Sequence, residues 1–144
     1  MFPGWLQNIA SRLIRPLFQV FAAAVIFDQD KNIFLVKVTY QKSHPWGLPG
    51  GCLEYGEHPE EAVVREVWEE TGLTVDIERL LLVDAWRPDR VGLFYLCRIT
   101  DGTFNPSEEV SEFDYFSVDA LPDVRPIDTH IIKRLHGMVQ HELA

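Results

Sequence analysis

Three glutamates, Glu66, Glu69 and Glu70, stand at i, i+3 and i+4 in a stretch that also carries Val63, Val64, Val67 and Trp68. On a helix turning about 100° per residue the glutamates fill one sector and the apolar residues another, giving a core face and an anionic face. Like charges at these spacings repel by roughly 0.2–0.5 kcal/mol per pair, a cost that interspersed lysines remove from an ordinary surface helix. A bound cation would reverse it. Hard divalent ions take oxygen ligands, and Mg2+ is held by a few carboxylates together with water and substrate phosphate oxygens. The trio is therefore read as a site for Mg2+, with Mn2+ as a substitute. Zinc fits less well, because its sites favour Cys and His and only His58 and Cys52 stand near. For an isolated Glu-rich helix, a solvated acidic face is the commoner arrangement.

The flanking residues change that weighing. Gly51, Glu57, Arg65, Glu66, Glu69, Glu70 and Gly72, with aliphatic Val67 and Leu73, follow the spacing G-x5-E-x7-R-E-U-x-E-E-x-G-U. Seven fixed residues, each at a usage of about one in fifteen, match a given window by chance on the order of once in 10⁸. This pattern resembles the box of the Nudix hydrolases, and Trp46-Gly47-Leu48-Pro49-Gly50-Gly51 looks like the lead-in to that box. Outside residues 46 to 73 the likeness lies in the order of strands and helices alone.

The resemblance implies an α/β/α sandwich, of the α/β (α+β) class with a mixed β-sheet, in which the box forms a loop-helix-loop motif. It also implies hydrolysis of a nucleoside diphosphate linked to another moiety, such as a nucleotide sugar, ADP-ribose or a nucleoside triphosphate. Carried over by position, Glu66, Glu69 and Glu70 become metal ligands, with Glu57 and a backbone carbonyl at Gly50-Gly51 as further donors. Arg65 becomes the residue that orients the box carboxylates. Its spacing of four from both Glu61 and Glu69 allows that role, and equally a plain surface ion pair. A carboxylate must also take the proton of the attacking water. The candidates are ranked Glu69, then Glu112, then Glu109, the last two from the acidic run Glu108 to Glu112.

Lys37, Lys42, Arg87 and Arg90 are available for substrate phosphates or carboxylates, and Trp46, Tyr40, Trp86 and Tyr95 for stacking on a base. Pro88, fifteen residues past the box, sits where ADP-ribose-cleaving members carry a proline. His58 falls at the N-cap of the acidic helix, where Ser, Thr or Asp is usual, and is read as a weak cap.

Elements must hold these groups in place. Pro59 suits the first turn of a helix, Glu60 and Glu61 its positive end and Gly72 the left-handed residue beyond its last turn, so this helix is expected over Pro59 to Thr71. Before it, Val20 to Phe27 and Ile33 to Val38 read as a hairpin around Asp28-Gln29-Asp30-Lys31-Asn32, and Thr39 to Gly51 as a loop. After it, Val75 to Ala85 and Val91 to Thr100 read as strands, followed by a short strand at Tyr115 to Val118 and a helix from Pro126. An amphipathic helix is expected at about residues 2–15. It packs on the domain or on a second copy, with attachment to a membrane surface disfavoured by only two basic residues, Arg12 and Arg15.

A length of 144 residues points to a single domain over 1–144. With 22 acidic and 13 basic side chains the net charge is −9, which makes duplex nucleic acid a poor partner; a small-molecule nucleotide as partner is what the resemblance implies. Seven glutamates and one arginine crowd into Glu54 to Glu70. Cys52 and Cys97 lie far apart with no CxxC spacing, which suits a reduced, cytoplasmic setting. The apolar run after Arg12 and Arg15 has the outline of a signal peptide but reads better as the first core strand. Two other functions are weighed on the same fold. A nucleotide-sensing module should show a degraded box, and this box is whole. A diphosphate isomerase needs a catalytic cysteine, for which only Cys52 and Cys97 are available.

Overall fold

A computed structural model describes residues 1 and 3–141. In chain order the elements are α1 (Gly4–Ile14), β1 (Gln19–Val25), β2 (Ile33–Val38), β3 (Trp46–Gly47), β4 (Gly50–Cys52), α2 (Pro59–Thr71), β5 (Leu73–Arg87), β6 (Arg90–Gly102), β7 (Val110–Phe116) and α3 (Pro126–Gln140). One sheet has the order β4-β1-β6-β5 and the other β3-β2-β7. Strand β1 runs parallel to β6 and antiparallel to β4, so the larger sheet is mixed. Phe2, part of the expected first helix, lies outside the described residues.

Two apolar layers enclose these sheets, and the period-2 alternation of the strands assigns residues to them. Ala22, Ala24, Phe34 and Val36 pack with Ala62, Val63 and Val67 of α2. Their neighbours Ala23, Val25, Ile33 and Leu35 pack with Ile131, Ile132, Leu135 and Val139 of α3. Burial on both faces explains why the centre of β1 is an unbroken apolar run rather than an alternating one. The three alanines Ala22, Ala23 and Ala24 are fully buried. The result is the expected α/β/α sandwich.

Three expectations need correction. The hairpin of β1 and β2 is reduced to a bridge at Phe27 and Ile33, and the strands enter different sheets. Asp28 closes the turn by accepting from the backbone N–H groups of Asp30 and Asn32, and beyond it the chain crosses between sheets. The region 39–51 is not all loop, since β3 pairs with β2 and β4 with β1. The last strand, β7, starts at Val110 and takes in Glu112, which therefore sits on a strand. Its side chains are mostly exposed, and that hides the strand from a search for apolar runs. The helix α1 buries none of its residues. Among the described residues no helix is long and apolar enough to cross a membrane.

Candidate functional site

The helix α2 spans the expected residues. Pro59 opens it, the Glu61 carboxylate accepts from the His58 backbone N–H at 3.1 Å, and Gly72 closes it in the left-handed conformation with φ 74°. Its Ala62, Val63, Val67 and Thr71 are buried, so packing against the sheet fixes which way the opposite face points. That face carries Glu66 and Glu69, while Glu70 lies at the boundary, 7% exposed.

Arg65 organises the first group. Its Nε and Nη2 donate to the two oxygens of Glu57 at 2.6 and 3.0 Å, and its Nη1 donates to Glu66 at 2.8 Å and Glu69 at 3.2 Å. Nη2 also reaches the Cys52 carbonyl at 3.4 Å. Of the two partners that the spacing allowed, Glu69 is taken and Glu61 is not, because Glu61 is used at the helix cap. The guanidinium holds the Glu57 carboxyl down to about 2.

Glu66 and Glu70 behave differently. Burial raises the carboxyl of Glu66, against the pull of Arg65. Burial pushes Glu70 up to about 9, aided by the facing charge of Glu66 and opposed by a hydrogen bond from the Gly50 N–H at 3.2 Å. Glu109 adds to the negative field at both.

Two glycines make this arrangement sterically possible. A Cβ on Gly51 would meet the Glu66 carboxyl carbon at 2.3 Å, and one on Gly50 would meet the Ala22 carbonyl oxygen at 2.3 Å. Strand β4 can thus lie against β1 on one side and against the acids of α2 on the other.

Among the described residues no three acidic, His or Cys side chains already converge closely enough to hold an ion. The box carboxylates share a face, but Arg65 spans Glu57, Glu66 and Glu69 while Glu70 turns to Gly50. The donor set nevertheless suits a hard cation: it consists of carboxylate and carbonyl oxygens, and it includes a buried carboxyl at Glu70 whose neighbours are mostly negative.

Gly50 and Glu70 also border a cavity of about 390 Å³. Trp46, Arg87 and Arg90, expected to meet substrate, line it, as do Tyr40 and Trp86. Lys42 is exposed and outside it. Tyr95 is a core residue, 4% exposed. Glu112 is tied to Lys37 at 2.6 Å and does not line the cavity. Sequence reasoning missed Arg125 and Asp128. The available signal was Pro126, which suits a helix start and so places Arg125 at the N-cap and Asp128 in the first turn of α3.

A NUDIX domain model matches residues 17–135. The chain is 31% identical over 124 residues to a MutT-like protein of Streptomyces ambofaciens, covering 85% of this chain and 79% of that one. It is 34% identical over 118 residues to an ADP-ribose pyrophosphatase of Methanocaldococcus jannaschii, covering 75% and 68%. Among solved structures, a UDP-X diphosphatase superposes with a TM-score of 0.79 at 26% identity, covering 95% of this chain and 72% of the other. The chain belongs to the NUDIX domain family and is a Nudix hydrolase.

Proposed function

We propose that this protein hydrolyses the diphosphate linkage of a nucleoside diphosphate joined to a second moiety, with Mg2+ or Mn2+, and releases a nucleoside monophosphate. The observation that carries the reading is the junction at Gly50 and Glu70, where the acidic face of α2 meets a cavity lined by aromatic and arginine side chains. Glu66, Glu69 and Glu70 would hold the cation, with Glu57 and the Gly51 carbonyl as further donors. When bound it supplies charge neutralisation at the phosphate oxygens and a lowered pKa for the attacking water.

The chain's own residues do the rest. Arg65 keeps Glu57, Glu66 and Glu69 aimed across one face. Trp46, Tyr40 and Trp86 offer flat surfaces for a base or sugar, and Arg87 and Arg90 offer forked donors for an anionic group of the substrate. The proton of the attacking water goes to a carboxylate. Glu69, half exposed, is the first candidate, and Glu109 comes ahead of Glu112 because Glu109 shares the field of Glu66 and Glu70 while Glu112 is occupied by Lys37.

The test is a panel of nucleoside triphosphates, nucleotide sugars, dinucleotides and ADP-ribose, with product identification and with or without Mg2+. The expected outcome is metal-dependent release of a nucleoside monophosphate. Glu66→Gln and Glu70→Gln should each lower kcat by about 100-fold or more, and Glu109→Gln should cost more than Glu112→Gln. No turnover across the panel with either metal would overturn the reading.

A further inference from the structure

Three guanidiniums, those of Arg87, Arg90 and Arg125, line the cavity that opens from Gly50 and Glu70. The protein gives them little negative charge in return. Arg87 and Arg125 share one carboxylate, that of Asp128, at 3.4 and 3.5 Å. Asp128 also accepts the Trp86 indole N–H at 3.0 Å. Otherwise Arg90 and Arg125 donate to neutral amides, Gln19 at 2.9 Å and Gln41 at 3.3 Å.

The Nε atoms of Arg87 and Arg90 are buried with no acceptor. Each of these guanidiniums lies near an aromatic ring, Trp86 at 5.5 Å for Arg87 and Phe21 at 5.9 Å for Arg90. Contact with a ring steadies a guanidinium and leaves its N–H edges for anionic acceptors that offer oxygens in pairs. Apart from Glu70, whose place is with the acids of α2, the wall carries three cations against the single charge of Asp128. That is an excess of two positive charges in a chain whose net charge is −9.

We propose that this arginine corner recognises a phosphomonoester on the moiety joined to the nucleoside diphosphate. The preferred substrates then carry a phosphate beyond the diphosphate that is cut. Charge decides between candidate groups. A phosphomonoester bears about −1.5 to −2 at neutral pH and matches the excess, whereas a carboxylate leaves one cation uncompensated and an uncharged sugar leaves two. Guanidinium forks also bind phosphate oxygens in pairs. One substrate can span both ends, because Gly50 and Glu70 line the same cavity as Arg87, Arg90 and Arg125. The inference rests on the hydrolase reading for the scissile end of the substrate, and its test separates the two.

The first measurement uses the full chain in chelator, titrated with ribose 5-phosphate and with ribose, and follows thermal stabilisation and heat of binding. Ribose 5-phosphate is expected to bind saturably and ribose not at all. Arg90→Gln and Arg125→Gln should each weaken that binding about tenfold or more. Arg98→Gln should leave it unchanged, since Arg98 faces Asp76 on the exposed strand surface, away from the cavity. The second measurement compares kcat/KM, with Mg2+, for ADP-ribose and for ADP-ribose phosphorylated on its distal ribose. The phosphorylated compound should be preferred about tenfold, and Arg90→Gln should abolish the preference.

Failure of ribose 5-phosphate to bind overturns the proposal, as does equal loss in Arg98→Gln. So does an Arg90→Gln variant that slows both substrates alike, which would put the arginines on the scissile diphosphate. Binding that follows the arginines, with turnover of neither compound nor any of the wider panel, would support the corner and count against the hydrolase reading alone.

Discussion

Arg65 is the one cation in the acidic stretch from Glu54 to Glu70, and its donors reach Glu57, Glu66 and Glu69 together. A lysine ammonium is a single point on a flexible stem and cannot reproduce that spread. Arg65→Lys is therefore expected to lower kcat/KM by about 10–100-fold, the usual cost of losing a group that orients ligands, while leaving the circular dichroism spectrum intact. A rate within twofold of wild type would show that the acids hold their geometry without the fork. The cysteines give a second prediction at this scale. Cys52 is exposed, and Cys97 is buried with its thiol pushed up to about 12 by desolvation. At pH 8 one thiol should react rapidly with an alkylating reagent and the second only after unfolding. The linkage has a definite sign. The ordinary thiol value is 9.0, so between there and about 12 the unfolded chain gives up a proton that the folded chain keeps, and stability falls as pH rises through that window. Burial raises Tyr40, Tyr95 and Tyr115 as well, in the same direction. Urea midpoints at pH 8.5 and 10 should thus differ less in Cys97→Ala than in wild type, without becoming equal.

Strand β4 shows how adjacent glycines can serve different ends. A Cβ at Gly50 runs into the backbone of β1, at the Ala22 carbonyl oxygen and at 2.7 Å from the Ala23 Cα, and paired strands cannot separate locally without losing their ladder. Gly50→Ala should cost about 1–3 kcal/mol in urea unfolding. The nearest atoms to a Cβ at Gly51 are the end of the Glu66 side chain, which can swing away. Gly51→Ala should therefore leave stability within about 0.5 kcal/mol and lower activity by displacing Glu66. Equal effects of the two on stability would sink this distinction. The same region marks what could be read in the sequence. Helix α2 was legible to the residue because Pro59, Gly72 and the apolar face Val63 and Val67 all express local rules, and the box spacing named its acids. The hairpin expected for β1 and β2 failed because period and turn residues report strands but not the sheet each joins. Strand β7 was placed too late because its exposed side chains carry no alternation of apolar and polar residues. The arginine corner was half legible: Arg87 and Arg90 flank the β5–β6 turn and stood out as bases in an acidic chain. Arg125 comes from the start of α3 and joins them only through tertiary packing.

At the scale of the molecule, the sandwich rests on two layers with different helical lids, and its stability should track those layers and not the chain's first helix. Ile132 of α3 is fully buried among Val25, Ile33 and Leu35, so Ile132→Ala should cost about 2–5 kcal/mol. Helix α1 makes the opposite case. Its apolar residues follow a helical period, yet Trp5 is 64%, Leu13 81% and Ile14 82% exposed, and none of its residues is buried. Apolar area that stays in water contributes nothing to folding. Removing residues 1–15 is therefore expected to shift Tm by no more than about 2 °C, the change produced by about half a kcal/mol in a domain of this size. Differential scanning calorimetry of the truncated chain beside Ile132→Ala, at the same concentration, checks this directly. A loss of Tm as large as that of Ile132→Ala would mean that the apolar stripe of α1 is buried in solution, and dilution would then separate the possibilities, since only burial against a second copy depends on concentration.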